Sequence, residues 1–461
     1  MKWQVWAGVL WLGMTSGAWS QEAKAPAEAK AAQGVKLDLA EGETLVFLGD
    51  SITHQCLYTQ YVEDYFYTRF PNRRVKFHNS GVGGDRAADA LIRFDRDVAQ
   101  YKPKYVTVLL GMNDGSYRGY DEATFQAYRT GMLEVIEKIK ATGATPVLMT
   151  PTMFDAQAAR ARVKGEPDAA TATRLELYNS VLAFYGTWLR GQAGTQGLGF
   201  VDMYSPLNNL TFEARRNDPQ FTMIADAVHP GAAGQMVMAF SLLWDLQVPR
   251  PLSTIQVSRN AKGEAVAKAT GGKISDVRFS DSGLEFVFAA EGLPFVVPDD
   301  AQPGAKMLRL GHRMSREAVE VHGLPVGRYR LVIDETPVGT YSNEQLERHV
   351  ELQENDQTPQ YIQAKSVATL NQQRNDEAVR PLRNLWRDQK VLRRTRDQLA
   401  AKPDDAGLKA AVTKLETSLA DFDAQISALE TKARAIEDRI YTQNQPTARK
   451  YRLEQVKAGA E

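Results

Sequence analysis

From residue 44 to about 248 the chain alternates short apolar runs with longer stretches in which apolar residues recur every three or four positions. The runs at 44–48, 75–79, 105–110, 145–149 and 199–202 have the length and composition of buried strands. Between the third and fourth, Phe125, Tyr128, Met132, Ile136 and Ile139 mark one face of a helix. This alternation predicts an α/β domain over residues 41–250, a mostly parallel sheet with helices on both faces. Such sheets bind ligands beyond the carboxyl ends of their strands, where this chain places its polar, glycine-rich segments.

Past Pro249 and Pro251 the alternation stops, and short period-two runs separated by Gly, Pro, Asn and Asp predict a small antiparallel β domain over 251–345. Its clearest element is the stretch 327–334, with one buried and one wet face. From 346 to 461 the pattern turns helical. Leu408, Val412, Leu415, Leu419, Phe422, Ile426, Leu429, Ala433, Ile436 and Ile440 alternate four and three apart, which is a coiled-coil seam. Leu382, Leu385, Leu392 and Leu399 supply an antiparallel partner across the turn at 402–405, giving a helical hairpin of roughly 50 Å. A single apolar seam on a charged surface favours a projecting rod, open to self- or partner association, over a prop packed on the first domain.

Lys+Arg and Asp+Glu both number 56 in the 461 residues, so nothing in the charge balance favours nucleic acid or an anionic membrane surface. Lys2, an apolar stretch at 3–14 and small residues at Ala18 and Ser20 predict a signal peptide over 1–20, too short to span a bilayer. The Ala, Lys, Glu and Pro residues that follow predict a solvated linker over 21–40, hence an exported product, periplasmic or secreted, with no membrane span after signal removal. The lone Cys56 has no partner for an intramolecular disulfide and reads as a small core residue.

Two distant segments carry the chemistry. Gly49-Asp50-Ser51-Ile52-Thr53 follows the first strand and offers a serine at the start of a helix, whose free N–H groups favour developing negative charge. Asp226-Ala227-Val228-His229-Pro230 sets a carboxylate three residues from an imidazole on a loop. A serine hydroxyl attacks at neutral pH only when an imidazole takes its proton, and the imidazole needs an anion to fix its tautomer. Asn79-Ser80-Gly81-Val82-Gly83-Gly84-Asp85 and Leu110-Gly111-Met112-Asn113-Asp114 also fall at strand ends, where backbone amides and the Asn113 side chain could hold an oxyanion. Helix capping by Asp50 or Ser51, and tight turns at the glycines and Asn113, would account for each segment singly. Of the other histidines only His54, one helical turn from Ser51, stands near this chemistry. There is no His-Glu-x-x-His, cysteine pair, P-loop or dinucleotide fingerprint, so no metal and no cofactor are expected.

In this order, each at a strand end, the four segments resemble the SGNH hydrolases, or GDSL-type esterases and lipases, over residues 41 to about 248. The resemblance implies a three-layer, flavodoxin-like fold, Ser51 as nucleophile, His229 as base and Asp226 as its partner. It implies an oxyanion hole made by the N–H groups of Ser51 and Gly84 and the amide of Asn113, with Asp50 and Gly83 in support; Gly84 is chosen over its neighbour Gly83 from the usual form of the family's second block. The expected activity is ester hydrolysis on a small-molecule or polysaccharide substrate, preferably removal of acetate from a carbohydrate. A lysophospholipase or longer-chain esterase is the alternative enzyme, and a coiled-coil interaction protein with a vestigial esterase domain the alternative from another class. The polar stretch 154–173 is expected either to wall the substrate site or to form an ordinary surface loop.

Overall fold

The computed structural model describes residues 34–260 and 262–456, so the expected signal peptide and the linker up to residue 33 lie outside the described residues. Residues 34–40, expected to be linker as well, are structured. Leu37 and Leu39 are buried in the first core, and the Leu37 N–H donates to the Leu246 carbonyl at 2.9 Å. Two large aliphatic side chains in an otherwise polar run suffice to tie it down.

Strands β1 (Thr44–Gly49), β2 (Lys76–Gly81), β3 (Tyr105–Leu109), β4 (Thr145–Met149) and β5 (Gly199–Val201) form a parallel sheet in the order β2-β1-β3-β4-β5. Every residue of β1 is buried, as its unbroken apolar run requires for a strand covered on both faces. Helices α1 (Ser51–His54), α2 (Leu57–Arg69), α3 (Ala87–Asp97), α4 (Glu122–Ala141), α5 (Ala156–Ala161), α6 (Ala169–Gln196), α7 (Tyr204–Ala214) and α8 (Ala232–Asp245) accompany it. The chain moves one way from β1 to β2 and the other way from β2 through β5. Right-handed crossovers therefore put α2 on one face and α3, α4 and α6 on the other, and α8 packs beside α2. The direction reverses at β1, so a crevice opens at its carboxyl end, next to those of β2 and β3.

The β region consists of two sheets rather than one antiparallel unit. Strands β6 (Ser253–Arg259), β7 (Ala265–Thr270), β10 (Glu317–Val321) and β13 (Val350–Glu351) form a mixed sheet in which β6 and β10 run parallel. Strands β8 (Gly272–Ser280), β9 (Gly283–Ala290), β11 (Arg328–Ile333), β12 (Thr336–Ser342) and β14 (Arg449–Gln455) form the other, fully antiparallel, with β14 at its centre between β11 and β9. The segment expected to be helical from 346 onward thus returns to complete the β region, placing Tyr451 and Leu453 in a core with Ile255, Phe286 and Leu331. Helices α9 (Gln302–Leu308), α10 (Leu310–Met314) and α11 (Asn343–Arg348) flank the sheets, and α9 packs on α8, joining the β region to the first core.

The tail comprises α12 (Pro359–Arg374), a π-helical turn at Asn375–Val379, α13 (Arg380–Ala401), α14 (Ala406–Ser418) and α15 (Phe422–Gln443). The turn falls at 402–405 as expected, with Asp405 capping α14. The seam is not continuous: Asp421 takes a left-handed conformation, φ 55°, between α14 and α15. The hairpin stands clear at its tip, where α14 packs on the end of α13, but its base does not project. Arg374 pairs with Glu63 at 3.1 Å, Arg383 with Asp97 at 2.8 Å and Lys390 with Asp85 at 2.7 Å, all six side chains buried. The charged face that reads as solvated meets buried carboxylates on the α/β domain.

Glu317, at the start of β10, is buried at the junction of α12 and the second sheet, where Oε1 accepts from Gln360 Nε2 at 2.8 Å and Oε2 has no partner among the described residues. Burial, against opposing hydrogen bonds from Gln360 and Tyr451, pushes its carboxyl up to about 7. A pKa raised on folding gives stability that is complete below the unfolded value and lost as pH rises through the folded one. Glu317→Gln should therefore match the parent near pH 4.5 and exceed it by up to about 3 kcal/mol at pH 9, read from melting curves at the two pH values.

Candidate active site

Immediately after β1, Asp50 caps α1 by accepting the Ile52 N–H on Oδ1 at 2.9 Å. This takes over the capping role that Ser51 could have filled, and leaves the Ser51 hydroxyl free to face the crevice. The Ser51 N–H, in the first turn of α1, has no acceptor among the described hydrogen bonds. Burial, with Asp114 and Asp85 nearby, pushes the Asp50 carboxyl up to about 7, which weakens the negative charge beside the hydroxyl at neutral pH.

Asp226 and His229 lie on the loop before α8. Asp226 Oδ1 accepts the backbone N–H groups of Val228 at 3.0 Å and His229 at 2.7 Å, while Oδ2 accepts from His229 Nδ1 at 2.7 Å. Burial works to raise this carboxyl, but the three donors outweigh it and hold it below the ordinary range, hence ionised. With its proton on Nδ1, His229 presents Nε2 as an acceptor, and Nε2 lies 2.7 Å from Ser51 Oγ. Behind the loop, the buried Asp155 donates its backbone N–H to the Ala227 carbonyl at 3.0 Å, and its carboxylate takes Arg215 Nη2 at 2.8 and 2.7 Å. The start of the 154–173 stretch thus anchors the base from behind.

The turn after β2 brings in the glycines. Gly83 donates its N–H to His54 Nδ1 at 3.3 Å, whereas the Gly84 N–H has no acceptor among the described hydrogen bonds. Gly84 has φ 71°, a left-handed conformation that a side chain would strain. Beyond β3, Asn113 Nδ2 donates to the Asp85 carbonyl at 3.1 Å, its contact with Asp50 Oδ2 is longer at 3.3 Å, and Oδ1 accepts from the Tyr117 hydroxyl at 3.2 Å. The sequence-predicted residues from all four segments therefore converge on one crevice.

A cleft of about 640 Å³ opens over Ser51, with Gly83, Asp226 and His229 at its edge, and it is completed by His54, Gln55, Leu57, Arg380, Asn384 and Arg387. No residue of 154–173 lines it; the expected wall comes from α13 instead. Nothing in the sequence pattern pointed to Arg380, Asn384 or Arg387, which lie more than 320 residues beyond Ser51 and sit among exposed charges of a helix. Cys56 is fully buried, and burial pushes its thiol up to about 12, so it behaves as a core residue. Among the described residues, no cluster of three or more His, Cys, Asp or Glu side chains could hold a metal ion.

Residues 47–237 match the GDSL-like Lipase/Acylhydrolase family. These residues form an SGNH hydrolase domain. The domain is that of a carboxylic-ester hydrolase. An acetylxylan esterase of Geobacillus stearothermophilus is 24% identical over 233 residues, 46% of this chain and 96% of that protein. The solved structure of a gut microbial diltiazem-metabolizing enzyme is 26% identical with a TM-score of 0.75, covering 92% of this chain and 100% of that one. Coverage of that extent takes in the β region and the helical tail together with the SGNH domain. An uncharacterized lipoprotein of Bacillus subtilis (strain 168), YqeF, is 36% identical over 74 residues, 16% of this chain and 30% of that protein, so the chain spans under a third of it. No helix among the described residues is long and apolar enough to cross a membrane.

Proposed function

We propose that the chain is an exported serine esterase that removes a small acyl group, acetate first among them, from a carbohydrate. The observation that carries the reading is the unbroken relay from Ser51 Oγ through His229 to Asp226, with both hydrogen bonds at 2.7 Å. Ser51 Oγ bonds to the ester carbonyl carbon as its proton passes to His229 Nε2, and Asp226 stabilises the imidazolium that results. The tetrahedral oxyanion takes hydrogen bonds from the N–H groups of Ser51 and Gly84 and from Asn113 Nδ2. Collapse breaks the bond to the alcohol oxygen, which leaves with the proton from His229. Water then gives its proton to His229 as it attacks the acyl-enzyme, and Ser51 departs with that proton.

Two features support a short acyl group on a polar alcohol. One is the cleft lining, in which Leu57 is the single aliphatic side chain among charged and amide groups, where a long acyl chain needs an extended apolar groove. The other is the acetylxylan esterase relative. Export is supported by the N-terminal pattern and by the lipoprotein relative. The test is a panel of chromogenic esters from two to twelve acyl carbons, run beside acetylated polysaccharides with acetate release as the readout. We expect kcat/KM to fall as the chain lengthens and acetate to appear from at least one polysaccharide; a preference for the longest esters would make the protein a lipolytic enzyme instead.

A further inference from the structure

The two peptide groups that flank Gly83 are each tied to the helical tail, the one joining Gly83 to Gly84 directly and the one joining Val82 to Gly83 through His54. Lys390 Nζ, buried on α13, donates to the Gly83 carbonyl at 3.0 Å and to Asp85 Oδ1 at 2.7 Å. On the other side the Gly83 N–H donates to His54 Nδ1 at 3.3 Å, and His54 Nε2 meets Asn384 Oδ1, also on α13, at 3.2 Å. Burial and the nearby guanidinium groups, against the Asn384 hydrogen bond, push His54 down to about 4, so the ring is neutral. A neutral ring that accepts at Nδ1 carries its proton on Nε2 and donates it to Asn384. Val82, just before the turn, packs in one apolar cluster with Leu382 and Trp386 of the same helix.

These contacts have a chemical consequence because a trans peptide is planar, with its C=O and N–H pointing in opposite directions. Fixing the Gly83 oxygen on an ammonium group fixes where the Gly84 N–H points. A positive donor on the oxygen also draws electron density through the amide and makes that N–H a stronger donor.

We propose that Lys390 is a positioning residue that aims and polarises the Gly84 N–H, and that Asn384, acting through His54, is a second one that fixes the preceding peptide group and with it the orientation of Gly83, so that the helical tail is an integral part of the ester-hydrolysing site. The proposal rests on the reading of Ser51 as nucleophile and of the Gly84 N–H as an oxyanion donor.

The experiment uses the full chain and compares Lys390→Met, Asn384→Ala, Ser51→Ala and, as a control near the far end of α13, Arg396→Ala. Active sites are counted by covalent labelling with a fluorophosphonate. Kinetics on a chromogenic acetyl ester are paired with inhibition by a short alkyl boronic acid, which becomes a tetrahedral anion on the serine oxygen. Lys390→Met should lower kcat per labelled site by roughly 10- to 100-fold with KM within about 3-fold, and weaken boronate binding by a similar factor. Asn384→Ala should move both quantities in the same direction by roughly 3- to 10-fold, and Arg396→Ala neither. If Lys390→Met does not fold, Asn384→Ala decides by the same two readouts. A merely structural role would lower the melting temperature and the number of labelled sites while leaving kcat per site and boronate affinity at parent values, and that result overturns the proposal. Retained turnover in Ser51→Ala would instead remove the reading on which it rests.

Discussion

Ser51→Ala should lower kcat on an acetyl ester by roughly 10⁵- to 10⁶-fold while leaving the fold intact. The large loss follows from the relay acting as a unit: without the Ser51 oxygen there is no acyl-enzyme, and His229 is left with nothing to deprotonate but water. His229→Ala should cost about as much and the double variant little more, because once one member is gone the other has no partner to work through. Asp226→Asn is expected to cost less, about 10⁴-fold, since it disturbs the tautomer of His229 without removing nucleophile or base. The fold is spared for a local reason. Ser51 Oγ bonds only to His229 among the described hydrogen bonds, and the cap of α1 is supplied by Asp50. Initial rates and thermal melts of the four variants provide the check. Single variants within tenfold of the parent, or a double variant whose loss is the product of the single losses, would sink the relay.

The α/β domain was legible because its information is local. An apolar run such as 44–48 is long enough for a buried strand, and each polar segment announces where the strand before it stops. Three of the short segments could be placed at the crevice without knowing the sheet order, since they follow strands that run the same way; the fourth, Asp226 to Pro230, was expected straight after the last strand but follows α7 and reaches the crevice on the loop before α8. What was not legible depends on partners far along the chain. Residues 449–455 have Tyr451 and Leu453 at alternating positions, but nothing in seven residues says that β11 and β9 will receive them. The seam of the hairpin was visible as a period, yet its setting was not. Arg374, Arg383 and Lys390 look solvated on a helical wheel, and only the fold brings Glu63, Asp97 and Asp85 against them. The same blindness moved the expected wall of the cleft from 154–173 to α13.

Asp97→Asn is the substitution expected to damage that assembly most, by about 3 to 5 kcal/mol of folding free energy. The Asp97 carboxylate, at the end of α3, receives both Nη groups of Arg383 at 2.8 and 2.9 Å, Arg93 Nη1 at 2.6 Å, the Ser80 hydroxyl at 2.9 Å and His78 Nε2 at 3.0 Å. Neither Asp97 nor Arg383 exposes any side-chain surface, and among the described residues Arg383 Nε has no partner and Asp97 is the only anion paired with that guanidinium. An amide of the same size keeps the packing but strands a buried cation, which costs far more than the pair contributes over apolar residues of similar volume. Adding Arg383→Met should therefore recover much of the loss, leaving the double variant above Asp97→Asn alone in urea denaturation. The pH dependence is a second check. Burial acts to raise the Asp97 carboxyl, but Arg383, His78 and Arg93 prevail and hold it far below its ordinary value of 3.8. A pKa depressed on folding gives stability that is complete above the unfolded value and lost as pH falls toward the folded one. The gap between parent and variant should then stay level from about pH 5 to 9 and narrow only below about pH 4. A loss under about 1 kcal/mol, or a double variant no better than the single one, would mean that α13 is held by its apolar contacts rather than by this charge cluster.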